Sequence, residues 1–273
     1  MTVYGAETTK RDGADMPHRL PGVGSDLRIT AQPIAEFSGF AWLIMCATVT
    51  DNLDLSEYDR DVVEHALVGR ARSRMFRALH RSAAWSIAFD RAQIEIGNRT
   101  FGAQLLGTHS QTSDTFLWSW ANPGADQWSP DVLDVARELR ARGERPGNAV
   151  FRERKIAARW VNPYELAWVA GELVGGLPIF AGEHDGTTAF VAIAGIDDPP
   201  DPELIDPAYL PGVILELHLY IAADPRMCVR IFAERLGFEL GEDEHALYAR
   251  RADCTFVATF DGQGRPQRVE LNA

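Results

Sequence analysis

The sequence predicts an α+β fold: an antiparallel β-meander packed by two helices, with an N-terminal helical region before it and a C-terminal βαββ element after it. Three observations predict it. The apolar period is 3.6 over residues 55–81 and changes to 2 from Trp85 onward. Turn residues cut the alternating region into short runs. Two proline-initiated helix starts follow the last run, where a sheet with an apolar face needs a cover.

Residues 1–33 are rich in Gly, Pro, Thr and Asp without sustained periodicity, and read as a flexible tail. A buried apolar element is expected over 34–49; its greasiest part, 40–49, is about half of what a membrane span requires. In the long helix over 55–81, Tyr58, Val62, Ala66, Met75 and Leu79 recur at helical spacing, and Asp54 or Ser56 is placed to cap the start.

The strands follow. Trp85, Ile87 and Phe89 alternate with Ser86, Ala88 and Asp90; then come Ile94 and Ile96, then Phe101, Ala103 and Leu105, then Phe116, Trp118 and Trp120. Asp90-Arg91, Gly97-Asn98 and the polar stretch 110–114 separate them. Ser129-Pro130 opens a helix striped by Val132, Val135, Ala136 and Leu139 and closed by Gly143, and Asn162-Pro163 opens a second over 164–174, stopped by Gly175-Gly176. Short strands return at 177–180 and 187–196.

Residues 197–211 hold five Pro and five acidic side chains, the composition of a linker or an ordered surface crossing. Beyond them a strand over 213–221, a helix over 225–236 and strands at 247–250, 255–260 and 268–271 are expected, the last two joined by Asp261-Gly262-Gln263-Gly264. The expected organisation is a tail over 1–33, a core domain over 34–196, a Pro/Asp-rich linker over 197–211 and a small α+β element over 212–273.

Composition bounds the function. The chain has 273 residues, 24% charged and 10% aromatic, and a net charge of −12, which repels nucleic acid and anionic membranes at long range. From residue 197 to the end there are 15 acidic and seven basic side chains, so −8 of the −12 lies there. Of 27 basic residues only Lys10 and Lys155 are lysines, and neither has the context of a phosphate loop. Cys46, Cys228 and Cys254 are far apart and odd in number, as expected of reduced thiols in a cytoplasmic protein. Residues 1–14 carry both charge signs and no apolar core, unlike a signal peptide.

Phe89-Asp90, Leu106-Gly107-Thr108 and the run Trp118-Ser119-Trp120-Ala121-Asn122-Pro123 resemble the core of an uncharacterised bacterial domain family. Its members show a hairpin running from a Leu/Val-Gly-Thr/Ser strand end into a Trp-x-Trp-Ala-Asn-Pro signature, followed by an Arg-rich helix and a second Trp- or Ala-rich helix. The resemblance covers 84–196 and implies a fold unit; it carries no activity.

Three constellations stand out. Phe116, Trp118 and Trp120 share one strand face, suited to a ligand platform or to a buried sheet face. Arg70, Arg74, Arg77 and Arg81 form one helical stripe without an intervening acid, a candidate contact surface for phosphates, an acidic partner or the protein's own acidic C-terminal part. Glu216, His218 and Tyr220 alternate with Leu215, Leu217 and Leu219, which puts a carboxylate, an imidazole and a phenol on one face, as an acid/base set or as an ordinary solvated face. His109 lies near Ser113 and Asp114, but no nucleophile elbow of Gly-x-Ser-x-Gly type occurs, and no histidines pair at metal spacing. The sequence therefore predicts no catalytic residues, metal or cofactor. It points to a protein-interaction or binding module, engaging another protein or a second copy, with a small-molecule binder or enzyme using a pocket between sheet and helices as the alternative.

Overall fold

The structure, a computed structural model, describes residues 2–5, 53–80, 84–197, 199–221 and 224–272. The element expected over 34–49, nearly all of the tail over 1–33, and Arg81 lie outside the described residues.

Helix α1 (Ser56–Leu79) occupies the stretch expected from its 3.6 period. Asp54 Oδ1 accepts from the Ser56 N–H and hydroxyl at 3.2 and 2.9 Å. The N–H groups of Glu57 and Tyr58 donate to the Gly147 carbonyl, so a distant loop completes the cap. Midway along α1, six consecutive residues, Ala66 to Ala71, are all buried. A helix enclosed on every side belongs to the core. Helix α4 (Pro163–Leu173) crosses it so closely that a Cβ on Gly69 would stand 2.4 Å from the Trp168 carbonyl oxygen. Asn162 caps α4 by accepting from Tyr164 and Glu165, as the Asn-Pro pair predicts.

The central sheet is antiparallel and contains β2 (Trp85–Ala88), β3 (Gln93–Ile96), β4 (Arg99–Ser110), β5 (Thr115–Trp118), β6 (Lys155–Ala157), β7 (Ile179–His184) and β8 (Thr187–Ala194). The long β4 pairs along one edge with β3 and then β5, and along the other with β8, across a bulge between Leu105 and Gly107. Gly97 and the Asp185-Gly186 pair take positive φ in the hairpin turns, where tight connections require it.

The expected single apolar face needs correction. Phe190 and Ala192 of β8 join one hydrophobic cluster with α1 and α4, whereas Val191 and Ile193 join another with Val132 and Leu133. Both faces of the sheet are buried at its centre, which is why β8 reads as a nearly continuous apolar run. The helix opened by Ser129-Pro130 starts as a 3₁₀ turn (Pro130–Leu133) and continues as α2 (Asp134–Arg142). A short α3 (Ala149–Arg152) then leads into β6.

The Pro-rich stretch is ordered as two 3₁₀ turns, Pro202–Leu204 and Pro207–Tyr209, each capped by the preceding aspartate, Asp201 or Asp206. The strand expected over 213–221 is not formed. Helix α5 (Leu210–Leu215) and a 3₁₀ turn (Leu217–Leu219) take its place, because Leu210, Val213, Ile214, Leu217 and Ile221 all turn inward at helical spacing. After α6 (Pro225–Arg235), strands β9 (Glu239–Glu242), β10 (Ala246–Arg250), β11 (Thr255–Phe260) and β12 (Pro266–Asn272) form a second antiparallel sheet, joined at β12 by β1 (Thr2–Gly5). No ladder links the two sheets among the described residues, yet a single hydrophobic cluster runs from Phe116 through α1 to Phe232 and Phe256.

Candidate anion-binding cleft

The signature hairpin divides its aromatic residues between interior and surface. Phe116 and Trp118 are fully enclosed, edge to face at 5.0 Å, and the Trp118 indole N–H donates to the Val150 carbonyl at 3.0 Å. Trp120 leaves the strand. Ser119–Ala121 form a 3₁₀ turn in which the Ser119 hydroxyl donates to the Leu105 carbonyl at 2.5 Å, and Trp120 packs half-buried on the edge of the same core. Asn122 Oδ1 then accepts from the Gly124 N–H at 2.8 Å, an Asx turn that fixes the exit. The single stripe expected of Phe116, Trp118 and Trp120 is therefore two fully buried residues and a third, Trp120, half-buried at the edge of the core.

Trp120, Ala121, Asn122 and Pro123 form one wall of an open cleft of about 600 Å³, with Asp126, Arg140, Arg152 and Arg154 around it. The Arg140 guanidinium lies over the Trp120 ring, 4.5 Å from its centroid. Arg154 reaches the Ala121 carbonyl at 3.5 Å. All three arginines are exposed, and among the described residues none of them forms an ion pair with a carboxylate. The buried Trp120 indole N–H has no acceptor among the described residues. A second depression, of about 380 Å³, lies over β9 to β11 and is mainly apolar. It gathers no comparable set of charges.

All the cleft residues lie inside the stretch that a family model matches: residues 59–196 fit a family of unknown function, DUF6882. The chain belongs to this family. No curated protein and no solved structure matches it. The DUF6882 segment thus takes in most of α1 and the whole central sheet, and ends before the Pro-rich stretch.

The arginine stripe of α1, inside the DUF6882 segment, is only partly open: Arg70 is enclosed, Arg74 is half-buried, Arg77 is exposed, and Arg81 lies outside the described residues. Arg70 is 5% exposed, ion-paired with Glu216, and packed against two rings, its Cζ 5.2 Å from the Trp168 ring and 5.0 Å from the Tyr220 ring, which themselves meet edge to face at 5.4 Å. Burial lowers its affinity for its proton, and Glu216 opposes that shift. Arg74 reaches the same Glu216 at 3.6 Å. Arg72, beside the stripe, binds Glu172 at 2.7 Å and the Pro200 carbonyl at 2.5 Å, and Arg77 donates to the Ala181 carbonyl at 3.3 Å. The stripe ties α1 to α4, to the Pro-rich stretch and to α5, largely within the molecule.

Glu216 and Tyr220 do come together, one helical turn apart on either side of Arg70, but not as a strand face, and neither lines the cleft. The side chain of His218 lies outside what the structure describes. His109 Nε2 meets Asp114 at 3.2 Å, while the Ser113 hydroxyl bonds Thr115 at 2.7 Å instead of the imidazole, so no nucleophile–base pair forms there. Burial pushes the Cys228 thiol up to about 12, which keeps it protonated and inert. Among the described residues no group of His, Cys, Asp and Glu is arranged to hold a metal, and no helix is long and apolar enough to cross a membrane.

Sequence reasoning missed Arg140, Arg152 and Arg154. The available signal was the density of arginine just after the signature, with seven between Arg137 and Arg159. Nothing in that density tells which guanidiniums turn inward.

Proposed function

We propose that the protein is a non-enzymatic binding module whose cleft, walled by Trp120 to Pro123, holds an anionic group presented by a partner. The observation that carries this reading is the convergence of Arg140, Arg152 and Arg154 without an ion pair to a carboxylate among the described residues, in a chain with 39 acidic side chains. Elsewhere the protein pairs its arginines readily, as in Arg72–Glu172, Arg230–Glu242 and Arg251–Asp253. Like charges held together are electrostatically costly, and an external anion relieves that cost. The aromatic wall, and a cleft lined among the described residues by no serine, histidine or cysteine, favour binding over chemistry.

The test is isothermal titration of the full chain at low salt with a hexaglutamate peptide and with sodium sulfate. Saturable binding of either anion, weakened about tenfold or more when Arg140 and Arg152 are both changed to Gln, supports the reading. No binding of either anion, or binding that the double change leaves intact, overturns it.

A further inference from the structure

We infer that the group this cleft takes is the dianion of a phosphate monoester. The inference rests on the anion-binding reading above and adds the ligand class. Among the described residues that line the cleft, Arg140, Arg152 and Arg154 face one carboxylate, Asp126, an excess of two positive charges in that lining. A phosphate monoester carries about −1.5 to −2 at neutral pH and presents three acceptor oxygens, one for each guanidinium fork. A carboxylate offers one charge and two oxygens, and leaves one arginine unanswered.

The donors are partly organised in advance. Arg140 is held against the Trp120 ring at 4.5 Å and Arg154 is anchored on the Ala121 carbonyl at 3.5 Å, so two of the three side chains lose less freedom on binding. Arg152 is exposed on the last turn of α3 and supplies the third fork. The volume of about 600 Å³ exceeds that of a phosphate group and leaves room for the molecule that carries it. Asp126 on the rim accepts a hydrogen bond from that carrier, and repels extended polyanions, in keeping with the chain's net charge of −12.

The phosphate itself provides the discriminating test. Its second ionisation falls near pH 6, whereas guanidinium stays charged throughout and, among the described residues, no histidine or cysteine lines the cleft. Titrations with acetyl-Gly-phosphoSer-Gly-amide, the same peptide carrying Glu, and phenyl phosphate are run at pH 5 and pH 7.5. The phosphopeptide is expected to bind about tenfold more tightly at the higher pH, following its dianion fraction. It is also expected to bind about tenfold more tightly than the Glu peptide at pH 7.5. Arg152→Gln is expected to cost about tenfold, with Arg60→Gln, on an exposed turn of α1, as the control without effect. Phenyl phosphate matching the phosphopeptide assigns recognition to the phosphate on a small molecule, and a stronger phosphopeptide assigns it to a modified chain; both support the inference. Glu peptide binding as tightly as phosphopeptide overturns the phosphate assignment and leaves the anion-binding reading standing. Affinity independent of pH, or indifferent to Arg152→Gln, overturns the inference as well.

Discussion

Arg70 and Arg152 place the same side chain in opposite surroundings. Arg70 is buried against a pair of aromatic rings and neutralised by Glu216, while Arg152 stands open beside two other cations. Trp118 and Trp120, two residues apart in the signature, repeat the contrast, one fully buried and one forming the wall of a cleft. The difference teaches that this fold segregates its cations by what neutralises them. On α1, Arg70, Arg72 and Arg74 are answered by carboxylates of the chain, whereas Arg140, Arg152 and Arg154 around the cleft form no ion pair among the described residues.

The contrast between the tryptophans carries the largest expected effect. Trp118→Ala empties a site with no solvent access and removes the hydrogen bond to Val150, a loss of about 3–5 kcal/mol in denaturant unfolding. Trp120→Ala is expected to cost less, about 1–2 kcal/mol, from its half-buried packing on the core and its contact with Arg140, while weakening anion binding. Equal losses of stability would erase the division of the signature into core and wall.

The buried ion pair should break asymmetrically. The Glu216 side chain is 45% exposed and that of Arg70 only 6%, so Glu216→Ala strands an enclosed guanidinium, at a cost of about 2 kcal/mol. Arg70→Met keeps the packing against Trp168 and Tyr220 and leaves Glu216 to water and to Arg74 at 3.6 Å, at under about 1 kcal/mol. Paired chemical denaturation of the two variants decides it. The reverse order would make Glu216 the dependent partner and Arg70 the residue that satisfies it.

The sequence showed the elements but not their neutralising partners. Asn162-Pro163, Gly97-Asn98 and the 3.6 period of 55–81 act through contacts a few residues away, and so they are legible locally. At 213–221 two periods coexist. The alternation of Leu215, Leu217 and Leu219 suggests a strand, but burial follows Leu210, Val213, Ile214 and Leu217. Pro211, read as part of a linker, is in fact at the start of α5. For the site, the aromatic signature was visible and the position of Trp120 was not, because the Ser119 hydroxyl leaves its local turn for Leu105, fourteen residues back. The arginines of the cleft come from α2 and the segment 152–154, brought together only by tertiary packing.

Asp61 gives the contrast an acidic counterpart with a smaller effect. It lies half-buried on α1, and burial pushes its carboxyl up to about 6, against the attraction of Arg142. Arg142 is no full partner, since its Nη2 is committed to the Leu173 carbonyl at 3.1 Å. A carboxyl whose folded-state pKa is raised is held more favourably when protonated, so stability present below about pH 4 is lost as the pH rises toward 6. Asp61→Asn removes that loss. With the group half open to solvent, the variant is expected to be about 1 kcal/mol more stable than the parent at pH 7.5, with the gap closing near pH 4. A gap that does not change with pH would mean that Arg142 fully compensates the carboxylate.

The smallest effect on stability is expected where the effect on binding is largest. Arg152 makes no hydrogen bond or ion pair among the described residues and shares its cleft with two like charges, so Arg152→Gln should leave the melting temperature unchanged or raise it by a degree or two. The melting temperature measured with and without saturating phosphopeptide tests this directly, because a ligand that binds the folded state raises it and the variant should forgo most of that rise. A variant that instead loses more than about 1 kcal/mol without ligand would give Arg152 the structural role of Arg70, and the two populations of arginine would become one.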